Sequence, residues 1–393
     1  MAFIACLFWI YGFGSEYRPV TSTSNPVSTT NQAMFNYLFI ITAIFAILGF
    51  GLLFMFLKKL NESTIFISIF IVSLTLLVSP VFQKFWYNAF LNGFGNNTNN
   101  SQAHDYLLNQ SMGGNLIFLD LYNLRFSLLC AVSQLVVLLG VFGRINFVQL
   151  IIFSLTYDIV WSLNFYAVIN IQGKSPDSRF YDDFQISTVY LFAACFGIFA
   201  SVFLKKPPID SSYEHSNFSS MFALLGSFFI FFTFSGTSAL FSMKTSPASS
   251  VRNYVWMEAI LSTFFALSAN VLSTSVITVA LQGKFMIRWQ VFSVIAGGIV
   301  FGTAAQISQN IGAAIGCGAG AGILTILYFH IIQPRINKRR VIDSFGIILF
   351  FVVSIFSTLV VSTYILRVYY SNGVIIPALA TSSSPAGEAI PNR

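Results

Sequence analysis

Charge is what this chain most lacks. Only 8% of its 393 residues are Asp, Glu, Lys or Arg, against about 25% in soluble domains. So few charges cannot coat a water-facing surface, which argues against a soluble enzyme and leaves lipid to cover most of the molecule. Histidine is scarce as well. His104, His215 and His330 are scattered without ligand spacing, so no metal centre is expected. The four cysteines, Cys6, Cys130, Cys195 and Cys317, all fall in apolar stretches and read as buried free thiols, not as disulfides or metal ligands. No Ser-His-Asp, His-Glu-x-x-His, Walker or haem pattern is present. The run GAGAG (318–322) lies inside an apolar helix and does not follow a strand, which argues against a nucleotide loop. No catalytic residue and no cofactor is expected, and the chain is not read as an enzyme.

What is abundant is apolar bulk: 56% hydrophobic residues, 45 of them Phe, and a mean hydropathy of +0.76. About 20 apolar residues span a bilayer core, and by that measure ten segments qualify. They run approximately 36–57, 64–87, 115–142, 148–170, 184–204, 218–242, 254–281, 287–305, 310–333 and 344–367. An eleventh, 2–14, is too short to cross alone; without a basic leader region or a clear cleavage site it does not read as a signal peptide. The tail from Tyr369, rich in Ser, Pro and Ala, reads as disordered. The expected fold is therefore all-α, a polytopic integral membrane protein of about 11 helices, with a transmembrane domain over 1–368 and a tail over 369–393.

The net charge of +7 does not point to nucleic acid, because the basic residues form no single patch. They sit between apolar segments, as topology determinants do. Lys58 and Lys59, Arg144, Lys205 and Lys206, Lys284 and Arg288, and Arg335 to Arg340 fall in alternate loops, which assigns those loops to the cytoplasmic or matrix side. The opposite loops hold fewer, such as Lys84, Lys174, Arg179, Lys244 and Arg252. The loop 88–114 on that side carries three glycosylation sequons. The sequence does not choose between a plasma membrane and an organelle membrane; the mitochondrial inner membrane stays open.

Two segments are rich in small residues, AGGIVFGTAAQ (296–306) and IGAAIGCGAGAG (311–322), with Gly298/Gly302, Gly312/Gly316 and Gly318/Gly322 each four apart. That spacing suits close helix packing in lipid. One device occurs twice. Asp182 opens the segment 184–204 with Tyr190 eight residues on, and Asp343 opens 344–367 with Phe351 eight residues on. Eight helical residues advance about 12 Å, placing Tyr190 and Phe351 near mid-membrane. The acids suit helix starts, where they cap orphan N–H groups. Recurrence in the fifth and tenth long segments suggests an internal repeat, with halves of about 36–204 and 218–367.

Several stretches carry a resemblance in matching order. They are YGFGSEY (11–17), GFGLLFMFLKKL (49–60), FVQLIIFSLTYDIVWSLNF (147–165), YDDFQISTVYLFAACFGIFAS (181–201), MFALLGSFFIFF (221–232), GKFMIRWQVFSVIAGGIVFGTAAQ (283–306) and IDSFGIILFFVVSIF (342–356). Together the chain resembles the ammonium transporter/Rh family from about residue 11 to 367, and the short first helix favours the Rh branch. The resemblance implies two inverted five-helix halves plus a short N-terminal helix, and a trimer. It also implies a pair of pore histidines facing each other, each eight residues after an Asp.

At those positions stand Tyr190 and Phe351. Phe126 matches a pore-gate position, but Arg125 precedes it where an acid is typical, and the acid of the outer mouth is replaced by Phe165 or Asn164. Asp158 is in the same helix but not at the family's position. Asp120 is a candidate partner for Arg125. Neutral imidazole can exchange hydrogen bonds and protons near neutral pH; Phe cannot, and Tyr is a poor proton acceptor. The expected function is a non-conducting structural or assembly subunit of a membrane complex. The partners would be the lipid bilayer, other copies or paralogues in a trimer, and other complex subunits. The alternative is a conducting channel for ammonia or ammonium, carbon dioxide or another small neutral solute.

Overall fold

The computed structural model describes residues 15–17, 29–56, 61–93, 117–119, 121–141, 144–174, 187–204, 217–245, 255–302, 304–306, 310–339 and 346–372. The helices are α1 (Thr29–Leu53), α2 (Asn61–Gly93), α3 (Leu121–Val141), α4 (Phe147–Lys174), α5 (Phe192–Phe203), α6 (Asn217–Thr245), α7 (Val255–Gln282), α8 (Ile287–Gly302), α9 (Ile311–Leu327), α10 (Gln333–Arg339) and α11 (Ile347–Asn372). Two three-residue strands, β1 (Ser15–Tyr17) and β2 (Ile117–Leu119), pair in parallel. Among the described residues, seven helices are long and apolar enough to cross a membrane, and three shorter apolar helices lie over Thr188–Phe203, Ile287–Gly302 and Ile347–Ser362. These ten coincide with the ten long segments read from the sequence, and the chain is an integral, multi-pass membrane protein.

The boundaries differ where the local chemistry departs from hydropathy. The segment expected to start at 115 begins its helix at Leu121, because Ile117–Leu119 is strand. The segment expected at 184–204 opens with a π-helical turn, Ser187–Leu191, before α5. The segment at 310–333 runs through a second π turn, Tyr328–Ile332, into α10. Helix α11 continues to Asn372, past Tyr369. Lys84, expected in a loop, lies within α2 and is buried. The N-terminal segment 2–14, Asp182 and Asp343 lie outside the described residues.

Helix ends follow ordinary rules. Asn310 caps α9 by accepting from the Gly312 N–H at 2.9 Å. Gly283 ends α7 with φ +66° and its N–H donates to Val279 O, a left-handed stop that glycine adopts without a Cβ penalty. Inside the spans, Ser and Thr hydroxyls donate back to carbonyls three or four residues earlier, as Ser68 does to Thr64, Thr263 to Ala259 and Thr325 to Ala321. In lipid such hydroxyls have no water to turn to.

Packing repeats along the chain. Helix α2 packs on α3 and α4, and α3 packs on α5; five helices later α7 packs on α8 and α9, and α8 packs on α11. The two sets meet where α1 crosses α6 and where α5 meets α11. An odd number of crossings per set starts the second from the opposite side, so the sets are inverted. The third helix of each set is central: α3 is almost wholly buried across Leu124–Val141, and α8 is buried from Trp289 to Gly302.

Glycine sets the closest approaches. A Cβ on Gly318 would stand 2.0 Å from Ala266 O of α7, and one on Gly322 would meet Ser273 Oγ at 2.1 Å. Gly316 has nothing within 4 Å of such an atom, and around Gly312 it would meet only its own cap residue. Of the two glycine pairs in α9, only Gly318/Gly322 packs α9 on α7.

Two outcomes are expected. Cysteines introduced near residues 58, 144, 205, 284 and 340 label from one side of the membrane, and those in the loop 88–114 from the other; labelling of both groups from one side refutes the topology. Gly318→Val forces α7 and α9 apart and lowers stability by about 1–3 kcal/mol, read as a drop in the midpoint of thermal aggregation in detergent. Gly316→Ala leaves it unchanged.

Candidate functional site

Tyr190 stands in the π turn before α5 and is buried. A π turn inserts one residue into the helical ladder and redirects the side chains that follow. The ring of Tyr190 lies 5.9 Å from that of Phe234 on α6, at 32°. Phe234 rests on Gly298 of α8, where a Cβ would come within 2.3 Å of the ring. The ring that meets Tyr190 is therefore Phe234, and the expected ring pair of Tyr190 with Phe351 does not form. Phe351 is half-buried in the second turn of α11. Its neighbour Phe350 is fully buried and faces Phe292 of α8 at 6.1 Å.

The outer approach is aromatic. Phe126 on α3 and Phe165 on α4 are buried with ring centroids 4.9 Å apart. Trp161 stacks on Phe165 at 5.1 Å and 11°, and Tyr166 meets Phe165 edge-on at 5.3 Å. Of the two candidates for the lost acid, Phe165 faces inward and Asn164 is only half-buried. The Trp161 indole N–H donates to Thr188 O at 3.0 Å, tying this stack to the π turn that carries Tyr190.

Arg125 opens the other side. Its guanidinium lies 4.9 Å from the Phe126 ring centre, a cation–π distance. Arg125 and Tyr190 line one cavity of about 40 Å³ between α1, α3 and α6, together with Thr42, Val132, Thr233 and Thr237. That volume holds one or a few waters. Asp120, the expected partner of Arg125, lies outside the described residues, as do Asp182 and Asp343.

The sequence reading passed over one feature. Asp158, mid-span on α4, is fully buried and accepts a hydrogen bond from the Cys130 thiol of α3 at 3.3 Å. The signal was available, since an acid deep in an apolar span is a functional candidate wherever it falls. Thiol placement also differs in part: Cys130 is buried, but Cys195 is exposed and Cys317 is half-exposed. No group of three His, Cys, Asp or Glu could hold a metal ion among the described residues. His330 stands in the second π turn, where its Nδ1 is 3.4 Å from Gln282 Nε2.

Comparison with known proteins places this geometry. The model of the Ammonium Transporter Family matches residues 1–373. The chain is similar to ammonium transporter Rh type B-A of Xenopus laevis, 24% identical over 307 residues, covering 76% of this chain and 58% of that protein. It is also similar to Rhesus-like glycoprotein B of Dictyostelium discoideum, 24% identical over 310 residues, covering 76% and 46%. The matched stretch thus spans about half the length of these relatives. Among solved structures, the fold is like that of Nitrosomonas europaea Rh50, with TM-score 0.65 and 18% identity over 87% of this chain and 90% of that one. Mep2 of Saccharomyces cerevisiae gives TM-score 0.58 and 15% identity over 95% of each chain.

Trp161→Leu removes the donor to Thr188 O and the stack on Phe165. A loss of about 3–5 kcal/mol is expected, and Trp161→Phe, which keeps a ring, loses less. Heating in detergent followed by size-exclusion chromatography orders the three proteins.

Proposed function

Because the chain belongs to the ammonium transporter family, we propose that it keeps the family's scaffold but serves as a non-conducting subunit in a membrane assembly. One observation carries the reading: Arg125 and Tyr190 line the same cavity. An ammonium ion must be attracted at the mouth and lose a proton before it enters an apolar lane, since a bare cation in low dielectric is prohibitively costly. Arg125 presents like charge there; two unit charges 4 Å apart repel by about 4 kcal/mol at an effective dielectric of about 20. Phe165 supplies no counter-charge. Further in, Tyr190 and Phe351 replace the imidazoles, and Tyr190 packs on Phe234.

A second reading has its own support. The cavity beside Tyr190 would admit a small neutral solute, and neither Arg125 nor the aromatic rings repel one. Assembly as a homotrimer or a mixed trimer with paralogues belongs to the first reading. It fits the large apolar residues that α1, α2 and α7 leave exposed, such as Ile41, Phe66, Leu272 and Val276, which face lipid or a neighbour.

Liposomes containing the purified protein and an internal pH dye test the proposal. An ammonium gradient is expected to change internal pH no faster than in protein-free liposomes. A faster change that Val132→Trp abolishes, at the cavity wall, refutes it. Native mass spectrometry in mild detergent is expected to show trimers, and a stable monomer counts against the assembly role.

A further inference from the structure

Asp158 is the twelfth residue of α4, about 16 Å from the start of the helix, and so near the middle of a hydrocarbon core about 30 Å thick. Its side chain is fully buried. Oδ1 accepts from the Cys130 thiol. Oδ2 has no hydrogen-bond partner among the described residues.

The groups around it come from three elements. From α3, Cys130 faces the carboxyl, and Arg125 lies five residues further out, about 7.5 Å along the axis, against Phe126. From α2, Thr75 lies beside the carboxyl; Lys84 is nine residues on, about 13 Å along the helix. From the π turn, Tyr190 faces Phe234. On α4 itself, the Tyr157 hydroxyl bonds to Ser133 Oγ. No basic side chain among the described residues pairs with Asp158.

An ionised carboxylate with one thiol donor and no cation is among the costliest groups to bury in lipid. A neutral acid is far cheaper, provided its proton finds an acceptor. One is present. The Thr75 hydroxyl donates its only proton to Gln134 Oε1, and Gln134 Nε2 donates in turn to Ser154 Oγ. Thr75 Oγ1 is thereby left with acceptor capacity alone, and it lies beside the Asp158 carboxyl.

We propose that Asp158 is an intramembrane proton-binding site, a carboxylic acid whose Oδ2–H is directed at Thr75 Oγ1. The ligand is the proton. The Cys130 thiol holds the other oxygen. Ser79, which lies beside Cys130 and accepts from Gln83 at 2.6 Å, extends the polar seam along α2. The site is distinct from the lane past Tyr190 and Phe351, and it stands whether or not that lane conducts.

Infrared spectroscopy of the protein in lipid at neutral pH, comparing wild type with Asp158→Asn and Thr75→Val, tests the site. Loss of one un-ionised carboxyl C=O band in D158N is expected. The same band should move to higher wavenumber in T75V, where the acceptor is gone. D158N should also match wild-type thermal stability, because the amide N–H can donate to Thr75 in place of the acid. Loss of carboxylate bands alone in D158N overturns the proposal. So does a carboxylate signal that shifts when sodium is exchanged for ammonium, which would mark a cation site. If D158N does not fold, T75V decides alone: an unmoved carboxyl region overturns the proposal.

Discussion

The structure depends on one constraint: in a bilayer, a polar group that finds no partner inside the protein finds none at all. Ser68, Thr263 and Thr325 in the spans meet it by bonding back to their own helices. Where hydroxyls and amides reach across, they do so between helices that glycine or other small residues let approach. Asn270 on α7 donates to Ser293 O on α8, where Gly297 leaves room for its amide; a Cβ there would clash with it. Gly49 of α1 and Gly226 of α6 likewise let backbone meet backbone where the two repeats cross. Close approach and polar satisfaction are one requirement, because a short hydrogen bond between helices needs the helices to be near.

The same constraint links the outer mouth to the membrane centre. Trp161 must place its N–H, and it does so on Thr188 O of the π turn. The bond fixes the turn that aims Tyr190, while the Trp161 ring supports Phe165 and, through it, Phe126. Phe126, Phe165 and the π turn that carries Tyr190 are thus mechanically connected.

Much of the fold was legible because hydropathy measures the quantity that lipid selects. Ten apolar runs gave ten apolar helices among the described residues. What stayed hidden was set by contacts between helices. The π turn at Ser187–Leu191 has no signature in the apolar run that contains it. Tyr190 was expected to meet Phe351 because the resemblance implies two pore residues that face each other at those positions. Which ring it meets depends instead on Gly298 making a seat for Phe234. Glycine spacing over-predicted for a similar reason: Gly312/Gly316 and Gly318/Gly322 look alike in sequence, but only the second faces α7. Asp158 was visible and set aside, because it was weighed by family position when its depth in the span was the stronger signal.

The repeat gives that acid its weight. Both repeats join their second and third helices by an amide, Gln134 from Thr75 in the first and Gln290 from Ser275 in the second. A structural need shared by the two repeats is therefore met with neutral groups. In the second repeat the described residues include one acid in a long helix, Glu258, exposed in the first turn of α7, where it favours the helix N-terminus. The first repeat adds a carboxyl at mid-depth, lined by a thiol and a hydroxyl. Since the second repeat makes the equivalent helix contacts without a mid-span acid among its described residues, those contacts do not require one. A group that packing does not require, held where its charged form is most costly, fits the proton-binding role proposed for it.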